Sequence, residues 1–256
     1  MSSADLDTVV QRQFGAAAAG YAVSPVHAGG PTLEAVVERA ALSGRERVLD
    51  VGCGAGHTAL ALARGAAEVV ALDLTQEMLA TAAGLARERG LANVWFKRGR
   101  AEALPFADAS FDLVASRLCA HHYADPVAAT REAARVLRPG GKYLLVDSCA
   151  PEDPVQDTYL NAIEVLRDPS HVRNYRLSEW SAMFRAAGFE VELGPRWPVR
   201  LEFAAWLSRI GTAPPLAVGL RALMDAAPSE VRDALAIDPE THDWSIPIAL
   251  LQGVRS

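Results

Sequence analysis

One stretch constrains this chain more than any other: Val48-Leu49-Asp50-Val51-Gly52-Cys53-Gly54-Ala55-Gly56, an apolar run carrying an acid, followed by glycines at every second position. Arg47 to Val51 reads as a buried parallel strand, and His57 to Arg64 continues in good helix formers. The glycines therefore occupy a strand-to-helix turn, where the missing side chains let a ligand touch backbone. A second apolar run, Val69 to Leu72, ends in Asp73. It stands roughly 20 residues beyond the glycines, the distance that puts an acid at the tip of the adjacent strand, within reach of ribose hydroxyls.

The glycine spacing is G-x-G-x-G rather than the G-x-G-x-x-G of dinucleotide sites, and Asp50 stands just before it. A carboxylate there opposes a pyrophosphate but suits a cationic ligand. The residues thus favour S-adenosylmethionine (SAM), which carries an ammonium, a ribose and a sulfonium but no phosphate. A nicotinamide-dependent oxidoreductase is the alternative these same features oppose. A SAM-binding regulatory protein without chemistry would look the same at this turn.

With these residues in place, the chain resembles the class I SAM-dependent methyltransferases. The match runs on through Ala101-Glu102-Ala103-Leu104-Pro105-Phe106, Ser110-Phe111-Asp112-Leu113-Val114 and Arg135-Val136-Leu137-Arg138-Pro139-Gly140-Gly141, in the family's order. The resemblance spans roughly Phe14 to Phe189 and is nearest to small-molecule enzymes of the ubiquinone/menaquinone C-methyltransferase kind. It implies cofactor contacts at Asp50, Gly52, Gly54, Gly56 and Asp73, with Leu74 and Met78 against adenine unless they are simply core. It also implies contacts from Ala101 and Glu102 at the adenine edge and from the Arg117 backbone at the methionine moiety. Arg100 departs from the family, which often has Asp there as an acceptor for the adenine amino group.

The alternation of elements agrees: strand 46-51, helix 56-64, strand 68-72, helix 75-89, strands 93-97 and 111-115, helix 126-138, strand 142-147. This predicts an α/β fold, a doubly wound Rossmann-like seven-stranded sheet, mostly parallel with an antiparallel last strand at 246-254, carrying helical lid or cap insertions. Helices are expected at 5-19, 31-42, 155-167 and 177-187, a further strand at 189-193, and a loop at 20-27. We expect one domain over 1-256: lid helices in 1-44, the SAM-binding core in 45-149, and substrate-facing cap helices and final strands in 150-256. Helical sequence broken by Gly211, Pro214-Pro215 and Pro228 suits a cap. Trp180, Trp197, Trp206 and Trp244 read as core rather than a substrate cage.

At 256 residues and 50% hydrophobic content the chain can bury one large core. A net charge of -6, with no Lys/Arg run longer than two, argues against nucleic-acid binding. No apolar stretch is long enough to span a bilayer, and the polar, acidic N-terminus lacks signal-peptide character, so a cytoplasmic location is expected. Cys53, Cys119 and Cys149 each follow a predicted strand. They read as buried apolar fillers, the other reading being a thiol cluster for a soft metalloid. No metal site is expected.

The expected activity is transfer of the SAM methyl group to a small organic acceptor, by C- or O-methylation. An enol carbon or phenol oxygen needs a base, and histidine's unperturbed pKa of about 6.5 suits one. His122, just past the fourth strand, is first choice, with His27 and His171 in reserve. Its neighbour His121 is expected to point elsewhere and matter less. Tyr21 and His27 stand in the N-terminal loop, which the resemblance implies folds over the cofactor; Tyr21 is expected to contact the cofactor, and both to gate the site or touch substrate.

Overall fold

A computed structural model describes residues 3–256. Met1 and Ser2, the first positions of the expected lid segment, lie outside the described residues. The chain opens with three helices, α1 (Ser3–Ala22), α2 (Pro25–Ala28) and α3 (Pro31–Ala40), then alternates through β1 (Arg47–Val51), α4 (His57–Leu62), β2 (Glu68–Asp73), α5 (Gln76–Glu88), β3 (Val94–Arg98), β4 (Phe111–Arg117), α6 (Pro126–Val136) and β5 (Leu137–Ser148). There follow α7 (Pro154–Arg167), α8 (Leu177–Ala186), β6 (Phe189–Leu201), α9 (Phe203–Ser208), α10 (Pro214–Asp225), α11 (Ser229–Ala234) and β7 (Trp244–Arg255).

The seven strands form one sheet in the order β3-β2-β1-β4-β5-β7-β6. β1 pairs in parallel with β2 and β4, β2 with β3, and β4 with β5, while β7 runs antiparallel to both its neighbours. The expected seven-stranded sheet with an antiparallel last strand is what the chain forms. Strand order reverses at β1 and β4, and the crevice outside the carboxyl ends of such a switch point is where open α/β sheets bind ligands.

Strand side chains alternate between two cores. Val48, Val69 and Ala71 belong to the cluster shared with α3, α4, α5 and the C-terminal helices, whereas Leu49, Val70 and Leu72 belong to the one shared with α6 and α8. This two-residue period, buried on both sides, is why the strands read as continuous apolar runs.

Three expectations change. Residues 20-22 continue α1, and Pro25 opens α2, so the expected 20-27 loop is mostly helical. β6 extends to Leu201 rather than stopping at 193, because it is an edge strand whose Pro195 and Pro198 need not donate to a ladder. The 203-235 region is not a detached cap: Phe203, Trp206, Leu220, Met224 and Val231 complete a main core cluster. Trp180, Trp206 and Trp244 are fully buried, as core residues are.

Candidate active site

The turn after β1 is shaped by three left-handed glycines, with φ of 67° at Gly52, 52° at Gly54 and 89° at Gly56. Their missing side chains serve different ends. A Cβ on Gly52 would sit 2.0 Å from Cys119 Sγ, and one on Gly56 2.7 Å from Ala82 Cβ, so those positions are closed by packing. A Cβ on Gly54 would meet nothing within 4 Å. Gly54 is therefore the glycine whose bareness keeps space open for a ligand.

That space is a cavity of about 990 Å³, open mouth included, walled by the Gly52–Ala55 turn, by Asp73, Leu74 and Met78 beyond β2, by Ala101 and Glu102, and by Arg117. Its roof is α1, which presents Leu6, Val10 and Phe14 at four-residue spacing on one face, with Tyr21 further along. Asp73 Oδ2 accepts the Gly54 N–H at 2.8 Å and Oδ1 that of Thr75, also at 2.8 Å. The acid that sequence spacing aimed at a ribose thus also fastens the glycine turn to β2.

Two expected cofactor contacts are displaced. Asp50 does not line the cavity but lies beneath the turn, 1% exposed, with Oδ2 unpartnered. Burial pushes its carboxyl up to about 7, against the opposing pull of the Arg117 guanidinium. Gly56 is likewise outside the wall, spent on the approach of α4 to α5. Glu102 reaches the wall, but its Oε1 accepts the Ala124 N–H at 2.9 Å. Arg100, the departure from the family pattern, pairs with Asp7 and so latches α1 over the cavity.

The cavity fits SAM better than a pyrophosphate ligand, because its arginines are committed. Arg117 donates to Thr58 Oγ1 at 3.0 Å, Thr32 Oγ1 at 3.1 Å and the His27 carbonyl. Arg100 faces Asp7. The turn, the Asp73 carboxylate and the Leu74 and Met78 side chains would hold the ribose and adenine, and SAM when bound would supply an electrophilic methyl carbon with a neutral sulfide as leaving group.

A second cavity of about 650 Å³ adjoins the first and shares Phe14, Tyr21, His27, Leu118 and His122 with it. Leu118 takes a left-handed φ of 56°, which turns the chain sharply after β4 into the short 3₁₀ turn Ala120–His122. Both histidines of that turn border the second cavity, their rings 4.2 Å apart. Only His122 also borders the first cavity, and the Nδ1 atoms of the two rings turn to different partners.

His122 Nδ1 donates to the Ser170 carbonyl at 2.9 Å, its ring is edge-on to Phe14, and burial together with the neighbouring His121 charge brings it down to about 4. His121 Nδ1 donates instead to Asp147 Oδ1 at 2.6 Å. Burial disfavours its charged form, but the Asp147 carboxylate outweighs this and raises its pKa. In the sequence Asp147 shows only as an acid near the end of a strand; which histidine it meets is set by the pairing of β4 with β5.

His27 borders both cavities, hydrogen-bonded through Nδ1 to Ser24 Oγ at 2.8 Å, and burial followed by the Arg117 charge brings it down to about 3. Tyr21 also borders both, and its carbonyl accepts from His57 Nε2 at 3.0 Å. His171, in the α7–α8 connection, lies in neither wall; its Nε2 donates to Asn161 Oδ1 at 3.1 Å. Cys53 and Cys119 line the first cavity while Cys149 does not, and no metal-holding group of three or more His, Cys, Asp or Glu occurs among the described residues. Nor is any helix among them long and apolar enough to cross a membrane.

Comparison with known proteins agrees with this architecture. A family model described as a methyltransferase domain matches residues 49–145. An uncharacterized methyltransferase of Bacillus subtilis, YcgJ, is 40% identical over 239 residues, which is 92% of this chain and 94% of that one. Its crystal structure superposes with a TM-score of 0.86 over 88% of this chain and 97% of that chain. An uncharacterized protein of Escherichia coli, YafE, is 40% identical over 73% of this chain and 90% of its own length. A demethylmenaquinone methyltransferase of Lactiplantibacillus plantarum is 35% identical over 44% of this chain and 50% of that one. On fold, site and relatives together, the chain belongs to the SAM-dependent methyltransferases.

Proposed function

We propose that this methyltransferase acts on a small organic acceptor, by C- or O-methylation, with SAM in the first cavity and the acceptor in the second. The observation that carries this reading is the seam between the cavities. Five residues wall both spaces, so a ligand in the second cavity abuts the cofactor cavity at Leu118 and His122. At about 650 Å³ the second cavity is of the size that takes a small molecule. Apolar side chains, among them Trp206, Ile246 and Ile248, supply much of its wall.

Displacement at a methyl carbon with a neutral leaving group asks little of the protein beyond alignment and exclusion of water. The α1 roof provides the exclusion, and the Leu118 turn provides the alignment by fixing the backbone beside the seam. The partial match to a demethylmenaquinone methyltransferase supports a small organic acceptor. The reading is tested by incubating the protein with methyl-labelled SAM and separate small-molecule, nucleic-acid and protein fractions of a cell extract. Label in the small-molecule fraction is expected, and label confined to RNA, DNA or protein refutes it.

A further inference from the structure

The second cavity holds a pair of groups that methyl transfer by alignment alone does not use. His121 borders it, 16% of its side chain exposed, and its Nδ1 is tied to Asp147 Oδ1 at 2.6 Å. Asp147 is itself 1% exposed and held in place: the His121 N–H reaches its Oδ2 at 3.1 Å and the Ser148 N–H its Oδ1 at 2.7 Å. With Nδ1 donating to a carboxylate, Nε2 is the nitrogen that carries the lone pair whenever the ring is neutral. That nitrogen makes no hydrogen bond among the described residues and is not buried, and it belongs to a residue that borders the second cavity. His122, by contrast, has the Ser170 carbonyl at 2.9 Å and the Ser170 hydroxyl at 3.4 Å behind its Nδ1, and no carboxylate in direct contact, which orients the ring without raising its basicity as a directly bonded carboxylate does.

We propose that His121, oriented by Asp147, is the general base of this enzyme, and that the acceptor is accordingly a small phenol or enol. The proposal rests on the small-molecule reading above. In the step, the acceptor O–H proton passes to His121 Nε2. The electron pair so released forms the new bond to the methyl carbon, from oxygen or from the conjugated carbon. The methyl–sulfur pair stays with sulfur, giving S-adenosylhomocysteine.

Two arginines of the wall suit an acceptor that becomes an oxyanion, while the carboxyls of Glu164 and Asp168 line the same cavity and oppose it. Arg167 spends Nε and Nη2 on the Trp206 carbonyl, at 3.2 and 3.1 Å, and Arg209 stands near it; neither forms an ion pair among the described residues. Two such guanidiniums stabilise developing negative charge and repel an ammonium acceptor. An amine can attack first and lose its proton afterwards, whereas a hydroxyl must be activated in the reacting step. The other titratable groups facing His121 are His122, His171, Glu164 and Asp168; burial raises Glu164, which weakens its opposition to an anion.

The test uses methyl-labelled SAM with a panel of simple phenols, cyclic 1,3-dicarbonyl enols, primary amines and thiols, on the wild type, His121→Asn, Asp147→Asn and His122→Ala. SAM affinity by calorimetry reports that each variant is folded. Label is expected on oxygen or the conjugated carbon. His121→Asn should lower kcat by about 100-fold or more with SAM affinity within a few-fold, and His122→Ala should cost less. Asp147→Asn should move the acidic limb of the rate profile to lower pH, and an NMR titration of the His121 ring without SAM should show the same fall. A wild-type rate in His121→Asn, or an unmoved His121 titration in Asp147→Asn, overturns the base assignment. Label on amines or thiols alone overturns the acceptor class while leaving small-molecule methylation standing. No labelled product across the panel counts against both.

Discussion

Substituting alanine at Gly54 and at Gly56 separates what the glycine turn does for the ligand from what it does for the fold. Both have positive φ, 52° and 89°, a backbone region that costs an L-residue about 1–2 kcal/mol. At Gly56 the new methyl would also lie 2.7 Å from Ala82 Cβ and 3.3 Å from its Cα, where α4 and α5 cross. Overpacking of that kind costs about 1–3 kcal/mol. The sum for Gly56→Ala is about 2–5 kcal/mol, which for a chain of this size lowers Tm by roughly 4–20 °C, at 2–4 °C per kcal/mol. Gly54→Ala carries only the backbone cost, roughly 2–8 °C on the same scale, because its methyl meets nothing within 4 Å. Its effect should appear in binding: the methyl enters the cofactor cavity, and SAM affinity should fall at least about tenfold, or about 1.4 kcal/mol. Thermal unfolding and calorimetry with SAM measure the two quantities on the same samples. Equal Tm losses at the two glycines, or unchanged SAM affinity in Gly54→Ala, would refute this division of labour.

Asp73→Ala should weaken SAM by about 1.5–3 kcal/mol, part of it through the Gly54 and Thr75 N–H groups left without their acceptor, and calorimetry that finds wild-type affinity removes Asp73 from the site. Asp50, raised to about 7, makes the folded state resist ionisation, so the stability tied to its neutral form is full below pH 3.8 and drains away as pH climbs toward 7, by up to about 1.4 kcal/mol per unit. Urea unfolding of Asp50→Asn should therefore show a larger gain over wild type at pH 8 than at pH 5, and a pH-independent difference contradicts the buried carboxyl. Breaking the α1 latch with Arg100→Ala should speed SAM release, and hydrogen exchange should find α1 better protected with SAM than without it; equal protection would make α1 a fixed wall.

The order of elements and the cofactor turn were legible in the sequence for a local reason. A strand buried on both faces must be a continuous apolar run, and a left-handed turn nearly requires glycine, so Val48–Gly56 and Val69–Asp73 announce themselves without reference to the rest of the chain. The division of labour among Gly52, Gly54 and Gly56 was not legible, because it depends on Cys119, open space and Ala82, which approach only once the sheet and helices have packed. Asp50 is the same case: its position beside the glycines suggested a ligand contact, and only the sheet shows it buried beneath them. The histidines make the point most sharply. Sequence order ranked His27, His122 and His171 by nearness to expected loops and strand ends, whereas the proposed assignment of His121 turns on what stands behind its other nitrogen. For His121 that partner is Asp147, 26 residues away and on the next strand, brought to 2.6 Å by the parallel pairing of β4 with β5. Periodicity and glycine are written one residue at a time; a carboxylate–imidazole contact belongs to two strands at once, and so the tertiary structure alone decided it.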